Sequence, residues 1–187
     1  MLNFIIFGIE LFYGIIESSA ALLSDSGHNI GDAIILGSSL FFISASIKSK
    51  AQLAIVKCIF WVFFGGLALY HAFLNIQTGS IPSHFLVGSI GIAALIVNVS
   101  TVVFMSGFKE DDININSAYI CCRNDAIGNG LIIFSAFLVY KLETSWPDVV
   151  AGLMIASLMF ISAYRIAKES YELIKTGNQP IRFIKKD

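Results

Sequence analysis

Residues 20–47 read AALLSDSGHNIGDAIILGSSLFFISASI. Across these 28 positions the only ionisable side chains are Asp25, His28 and Asp32. In water the three would form an ordinary polar stripe. In a bilayer each needs a reason to be there, because a carboxylate at mid-membrane costs about 2.5–3.5 kcal/mol on insertion scales. What this stretch is depends on the solvent around it.

Composition decides the solvent. The 187-residue chain is 56% hydrophobic and 13% charged, with a mean hydropathy of +0.78. Soluble domains usually carry about 25% charged residues. So few charges do not cover a soluble domain's surface, whereas a lipid-facing surface is itself apolar. The formal net charge of −1 gives no footing for nucleic acid, and no such partner is expected. Cys58, Cys121 and Cys122 lack the paired spacing of secreted domains and fall in expected helices, so no disulfide framework follows.

A membrane helix needs roughly 20 mostly apolar residues. Six such runs are present: about Leu2–Ile16, Ala20–Ile47, Gln52–Ile76, Phe85–Ser106, Ser117–Lys141 and Pro147–Ile174. Short polar breaks separate them, including Glu17-Ser18-Ser19, Lys48-Ser49-Lys50, Lys109-Glu110-Asp111-Asp112 and Glu143-Thr144-Ser145. The first run is short and contains Glu10, but it lacks the basic start and cleavage site of a signal peptide and reads as a helix. The expectation is an all-α membrane protein: a six-helix transmembrane domain over 1–175 and a short basic tail over 176–187. Lys48, Lys50 and Lys109 lie in the even breaks, and Lys175, Arg182, Lys185 and Lys186 lie at the end of the chain. By the positive-inside rule both termini are cytoplasmic. The basic tail suits anionic lipid.

The polar residues inside the spans carry the chemistry. His28 and Asp32 are four apart, so they share one helix face. Asp25 precedes His28 by three and falls on nearly the same stripe. In the fifth span Cys121 and Asp125 repeat the four-residue spacing. Asp32 lies about twelve residues along its span and Asp125 about nine, which at 1.5 Å per residue puts each roughly 13–18 Å deep. Two antiparallel helices would then bring both pairs together near the middle of an apolar layer about 30 Å thick. One imidazole, one thiolate and two carboxylates form a set that suits tetrahedral Zn²⁺. The same set accepts Cd²⁺, Co²⁺ or Fe²⁺, because residue type fixes the donor class better than the metal. The candidate metal residues are His28, Asp32, Cys121 and Asp125, with Asp25 in support. Simpler roles cover the rest. Cys58 and Cys122 read as packing, His71 and His84 as interfacial side chains, and Asn98 as a link between helices. Arg123 is two residues from Asp125 and points to nearly the opposite face. Glu10 has no partner visible in the sequence.

Three segments share a resemblance. SSAALLSDSGHNIGDA resembles the first-to-second-helix stretch of cation diffusion facilitators, where a Ser-x-Ala-Leu-Leu-x-Asp-x-x-His-x-x-x-Asp pattern recurs. DININSAYICCRNDAIGNGLIIF is similar to that family's fifth helix, around its second pair. SWPDVVAGLMIASLMFISAYRIAKESYELI resembles its sixth helix. The segments occur in the family's order and cover nearly the whole chain. The resemblance implies an exporter of divalent metal, usually Zn²⁺, driven by proton influx, commonly as a homodimer in the bacterial inner membrane. It places the transport site on His28, Asp32, Cys121 and Asp125, and gives Asp25 a supporting role. Two departures follow. Cys121 stands where the family generally has His or Asp, which tilts selectivity towards softer metals. The family's cytoplasmic domain after the sixth helix is not expected here.

The metal is cargo, and no resident cofactor is expected. Two rivals share the same residues. One is a non-transporting metal sensor, or a partner subunit of a longer relative. The other is a membrane hydrolase, against which stands the lack of a Glu general base beside a His pair and of Ser-His-Asp logic; the chain is not expected to be an enzyme.

Overall fold

The structure, a computed structural model, describes residues 2–41, 47–107 and 113–176. The described residues form six helices and no strand: α1 Leu2–Ile16, α2 Ala20–Phe41, α3 Ile47–Thr78, α4 His84–Ser106, α5 Ile113–Leu142 and α6 Trp146–Thr176. Each of the six expected spans is helical over its described residues. The Lys48-Ser49-Lys50 break is corrected: it is the first turn of α3, not a loop. Lysine is a good helix former, so this cluster marks where the helix meets water rather than where it stops. The acidic segment 109–112 and the tail from 177 lie outside the described residues.

Helix ends follow local chemistry. α1 closes on Ser18, which takes a left-handed φ of 54°. Ser19 N donates to Gly14 O at 2.9 Å and Ser18 N donates to Ile15 O at 3.3 Å, the paired bonds of a Schellman stop. Ser19 then caps α2, its Oγ accepting from Leu22 N at 3.2 Å. Glu143, with φ 50°, ends α5 in the same conformation. Pro147 sits in the first turn of α6, where its missing N–H costs nothing.

Four helical stretches are long and apolar enough to cross a membrane by themselves: Ala51–Thr78, His84–Phe104, Cys122–Leu142 and Trp146–Lys175. α1 is apolar but only 15 residues long, about 22 Å at 1.5 Å per residue. α2 carries the polar stripe and occupies the centre, packing against α1, α3, α5 and α6. Residues 20 to 26 of α2 are all buried, so protein rather than lipid surrounds that polar stretch. α4 packs on α1 and α5, and α3 pairs with α6. The core runs through Leu22, Phe64, Ile132, Ile155 and Met159. On the outside, Phe85, Phe104 and Ile127 are 72%, 73% and 69% exposed, the apolar exterior that lipid covers and water would not tolerate.

Close approach at the centre depends on small residues. A Cβ on Gly27 would lie 2.4 Å from Phe64 Cβ, and one on Gly31 would lie 2.3 Å from Trp61 Nε1. These two glycines, four apart on α2, let α3 pack directly on its backbone. Gly152 of α6 does the same from the other side, facing Ala20.

Polar links knit the end of the bundle where α2 begins. Asp148 of α6 is buried, accepting from Ser19 Oγ at 2.5 Å and from Ala20 N at 2.7 Å. Its carboxylate thus meets the N-terminus of α2, where backbone N–H groups favour negative charge. Asn75 of α3 donates to Ser18 O at 2.6 Å, and Glu17 accepts from Ser83 N at 2.9 Å, just before α4. Asp148→Ala would strand buried donors, at a cost of about 1–3 kcal/mol. The expected result is a lower unfolding midpoint in detergent, with a smaller loss for Asp148→Asn; an unchanged midpoint for both would contradict the clasp.

Candidate metal site

The central pair comes from two helices far apart in sequence. His28 Nε2 of α2 lies 3.0 Å from Asp125 Oδ1 of α5. The His28 side chain is 25% exposed and that of Asp125 only 1%, so the carboxylate is in the protein interior and the imidazole reaches its edge. One turn away, Asn129 of α5 donates to Asp25 Oδ2 of α2 at 2.6 Å. As numbers fall along α2 they rise along α5, so the two helices are antiparallel, as the two spacings required.

This register places the other two expected residues. Asp32 lies one turn beyond His28 on α2, and Cys121 lies one turn before Asp125 on α5. With His28 beside Asp125 in an antiparallel pair, backbone positions 32 and 121 fall at the same level. The side chains of Asp32 and Cys121 lie outside the described residues. Among the described residues, no group of three or more His, Cys, Asp or Glu side chains is arranged to hold a metal. His28 and Asp125 are the half of the expected set that the structure describes, and it brings them together. Two ligands of one tetrahedral zinc stand about 3.3 Å apart, so the 3.0 Å separation is close to that of a shared ion.

α3 supplies what the sequence reading missed. Trp61 stacks on His28, with ring centroids 5.1 Å apart and planes inclined by 16°. Lys57, one turn earlier and buried, holds Nζ 4.3 Å from the Trp61 ring centroid. The stack fixes the imidazole plane while Nε2 faces Asp125. The Lys57 stem also lies beside Gly31 of α2. A signal for both was present. Lys57 is a charge ten residues into an apolar helix, and Trp61 follows it at the four-residue spacing of one helix face.

The family model for the cation efflux transmembrane domain matches residues 1–174. The chain belongs to the cation efflux family. A cadmium, cobalt and zinc/H(+)-K(+) antiporter of Bacillus subtilis (strain 168) is 26% identical over 194 residues, covering 90% of this chain and 59% of its own length. Zinc transporter ZitB of Escherichia coli (strain K12) is 24% identical over 184 residues, covering 90% of this chain and 58% of its own length. The metal cation efflux system protein CzcD of Cupriavidus metallidurans is 21% identical, covering 90% of this chain and 57% of its own length. The chain thus spans somewhat under three-fifths of the length of these relatives. The cation efflux chain is an integral, multi-pass membrane protein with an all-α bundle, as its sequence led us to expect.

Around the pair, this cation efflux bundle buries a chain of amides and acids. Asn98 of α4 donates to Asn129 Oδ1 at 2.9 Å, and Asn129 passes the link on to Asp25. The expected helix-linking role of Asn98 is therefore met. Asp25 engages Asn129, one turn from His28 towards the start of α2. Glu10, which had no visible partner in sequence, accepts from Asn29 Nδ2 at 2.8 Å and is fully buried. Neither Asn29 nor Asn129 was singled out from sequence, although Asn129 continues the Cys121 and Asp125 spacing by another four residues. Cys58 and Cys122 are buried, where the sequence reading placed them as packing residues. Arg123 is exposed, whereas Asp125 is buried.

Proposed function

We propose that this chain exports divalent metal cations from the cytoplasm in exchange for protons, using His28, Asp32, Cys121 and Asp125 as transport ligands. The observation that carries the reading is the His28–Asp125 contact between α2 and α5, inside a bundle of the cation efflux family. A neutral imidazole and a carboxylate aimed at each other hold either a metal or a proton between them, so the two compete for one position. His28 suits that exchange, since histidine changes charge near physiological pH. The N, S and O donors favour Zn²⁺, with Cd²⁺, Co²⁺ and Fe²⁺ in the same range. The relatives' printed names point the same way, towards zinc, cadmium and cobalt. The reading includes cytoplasmic termini, a bacterial inner membrane and a homodimer, and assigns Asp25 to support rather than ligation. It makes the chain a transporter, not an enzyme.

The cargo moves if the midplane site is exposed to each side in turn, by rocking of the bundle around it. The test is uptake of Zn²⁺, Cd²⁺, Co²⁺, Fe²⁺ and Mn²⁺, each in turn, into proteoliposomes with an imposed pH gradient. Gradient-dependent movement of Zn²⁺, with weaker movement of Mn²⁺, is expected. Protein that binds Zn²⁺ yet moves none of the five would overturn the transport reading and favour a sensor or partner subunit.

A further inference from the structure

α3 walls one side of the metal pair. Trp61 stacks on His28, its Nε1 edge lies against Gly31, and Phe64 lies against Gly27. Numbers rise along α3 as they fall along α2, so the indole runs along the turn of α2 between backbone positions 28 and 31, just before Asp32. Its plane is within 16° of the imidazole plane at a centroid separation of 5.1 Å. Trp61 and Phe64 are buried, whereas the His28 side chain is 25% exposed. The open edge of the imidazole is therefore not the side that α3 covers. Lys57 Nζ sits 4.3 Å from the indole centroid, a cation–π contact that helps hold the ring in place. Gly31 is what admits so broad a ring, since a Cβ there would collide with Nε1.

We propose that Trp61 is a specificity-determining residue for the cargo: its indole covers one face of His28 and denies water a place beside the bound ion. A metal held through Nε2 lies in the imidazole plane, so further ligands would reach it from above and below that plane. The parallel indole, wider than the imidazole it covers, takes up one of those sides. Its face offers no lone pair to a metal and no hydrogen-bond acceptor or donor in the plane's normal direction to a metal-bound water. Zn²⁺, Cd²⁺ and Co²⁺ accept a tetrahedral set of protein ligands. Mn²⁺ and Mg²⁺ favour octahedral shells of oxygen, several of them water. The wall removes ligands that the second group needs and costs the first group none. The inference rests on the metal reading given above and adds to it the residue that decides which ions fit.

The test uses the purified full chain, with Co²⁺ as an optical probe, because tetrahedral Co²⁺ absorbs visible light far more strongly than octahedral Co²⁺. The wild type should give the intense tetrahedral spectrum. Trp61→Leu keeps an apolar core residue but removes the ring, and should lose several-fold in intensity as water joins the ion. Trp61→Phe, which keeps an aromatic face on His28, should retain most of it. Competition titrations should show Mn²⁺ gaining on Zn²⁺ by about 10-fold in Trp61→Leu. A second measurement leaves position 61 unchanged. The chain has two tryptophans, so in Trp146→Phe the emission comes from Trp61 alone. One equivalent of Co²⁺ should quench it, and His28→Ala should abolish the quenching. An octahedral spectrum in the wild type would overturn the proposal. An unchanged spectrum and an unchanged Mn²⁺ to Zn²⁺ ratio in Trp61→Leu would overturn it too, as would equal weakening of both metals, which marks a purely structural role. Tight Co²⁺ binding without quenching would place the ion away from the stack and overturn it whether or not Trp61→Leu folds. A wild type that binds neither Co²⁺ nor Zn²⁺ would overturn the metal reading itself, whereas the failures confined to Trp61→Leu leave that reading standing.

Discussion

Asp125→Ala will abolish metal-dependent proton flux in proteoliposomes, and Zn²⁺ affinity will fall by more than about 100-fold. Removing an outer-shell partner of a metal ligand typically costs 10–100-fold, and Asp125 is assigned as a ligand itself. The fold should survive. The Asp125 side chain is 1% exposed, and its replacement relieves a buried charge as well as breaking the contact with His28. Loss of activity should therefore come with an unfolding midpoint near that of the wild type. Arg123→Ala, two residues away and exposed, should leave both activity and stability unchanged. Normal flux in Asp125→Ala would show that the carboxylate is not part of the path.

Gly31→Leu will have the largest effect among substitutions outside the ligands. Even a Cβ at this position would lie 2.3 Å from Trp61 Nε1 and 3.1 Å from Lys57 Cε. The indole is broad and rigid, so α3 must back away from α2 or Trp61 must leave its stack on His28. Overpacking of this kind costs about 1–3 kcal/mol, and the imidazole loses the plane that orients Nε2. Both a lower unfolding midpoint and loss of Zn²⁺ flux are expected. Gly130→Ala is the matched control, since nothing lies within 4 Å of a Cβ built there. If Gly31→Leu were as stable and active as the wild type, the close α2–α3 contact would not exist.

The six helices were legible because lipid imposes one rule on every span: a long apolar run between polar breaks. Lys48 to Lys50 misled the boundary, since charge reports the water interface and helicity continues through it. The His28 and Asp125 pairing was legible because buried acids are costly and the two four-residue spacings sit at one depth. The Glu10–Asn29 contact joins two helices of different register, and no spacing within one helix reveals that. Trp61 was hidden for another reason. In so apolar a chain an aromatic residue looks like packing, and its stacking on His28 is a property of how α3 crosses α2. The role of Asp25 came partly from resemblance. The structure adds the physical content, a buried acid held by Asn129.

X-ray absorption at the zinc edge, on the full chain loaded with one equivalent of Zn²⁺, tests the central claim most directly. If α2 and α5 assemble one site from His28, Asp32, Cys121 and Asp125, the spectrum will fit one sulfur at about 2.3 Å and three nitrogen or oxygen ligands at about 2.0–2.2 Å. The sulfur shell will disappear in Cys121→Ala and remain in Cys58→Ala and Cys122→Ala. A shell of oxygens alone, or a sulfur contribution that survives Cys121→Ala, would contradict the account.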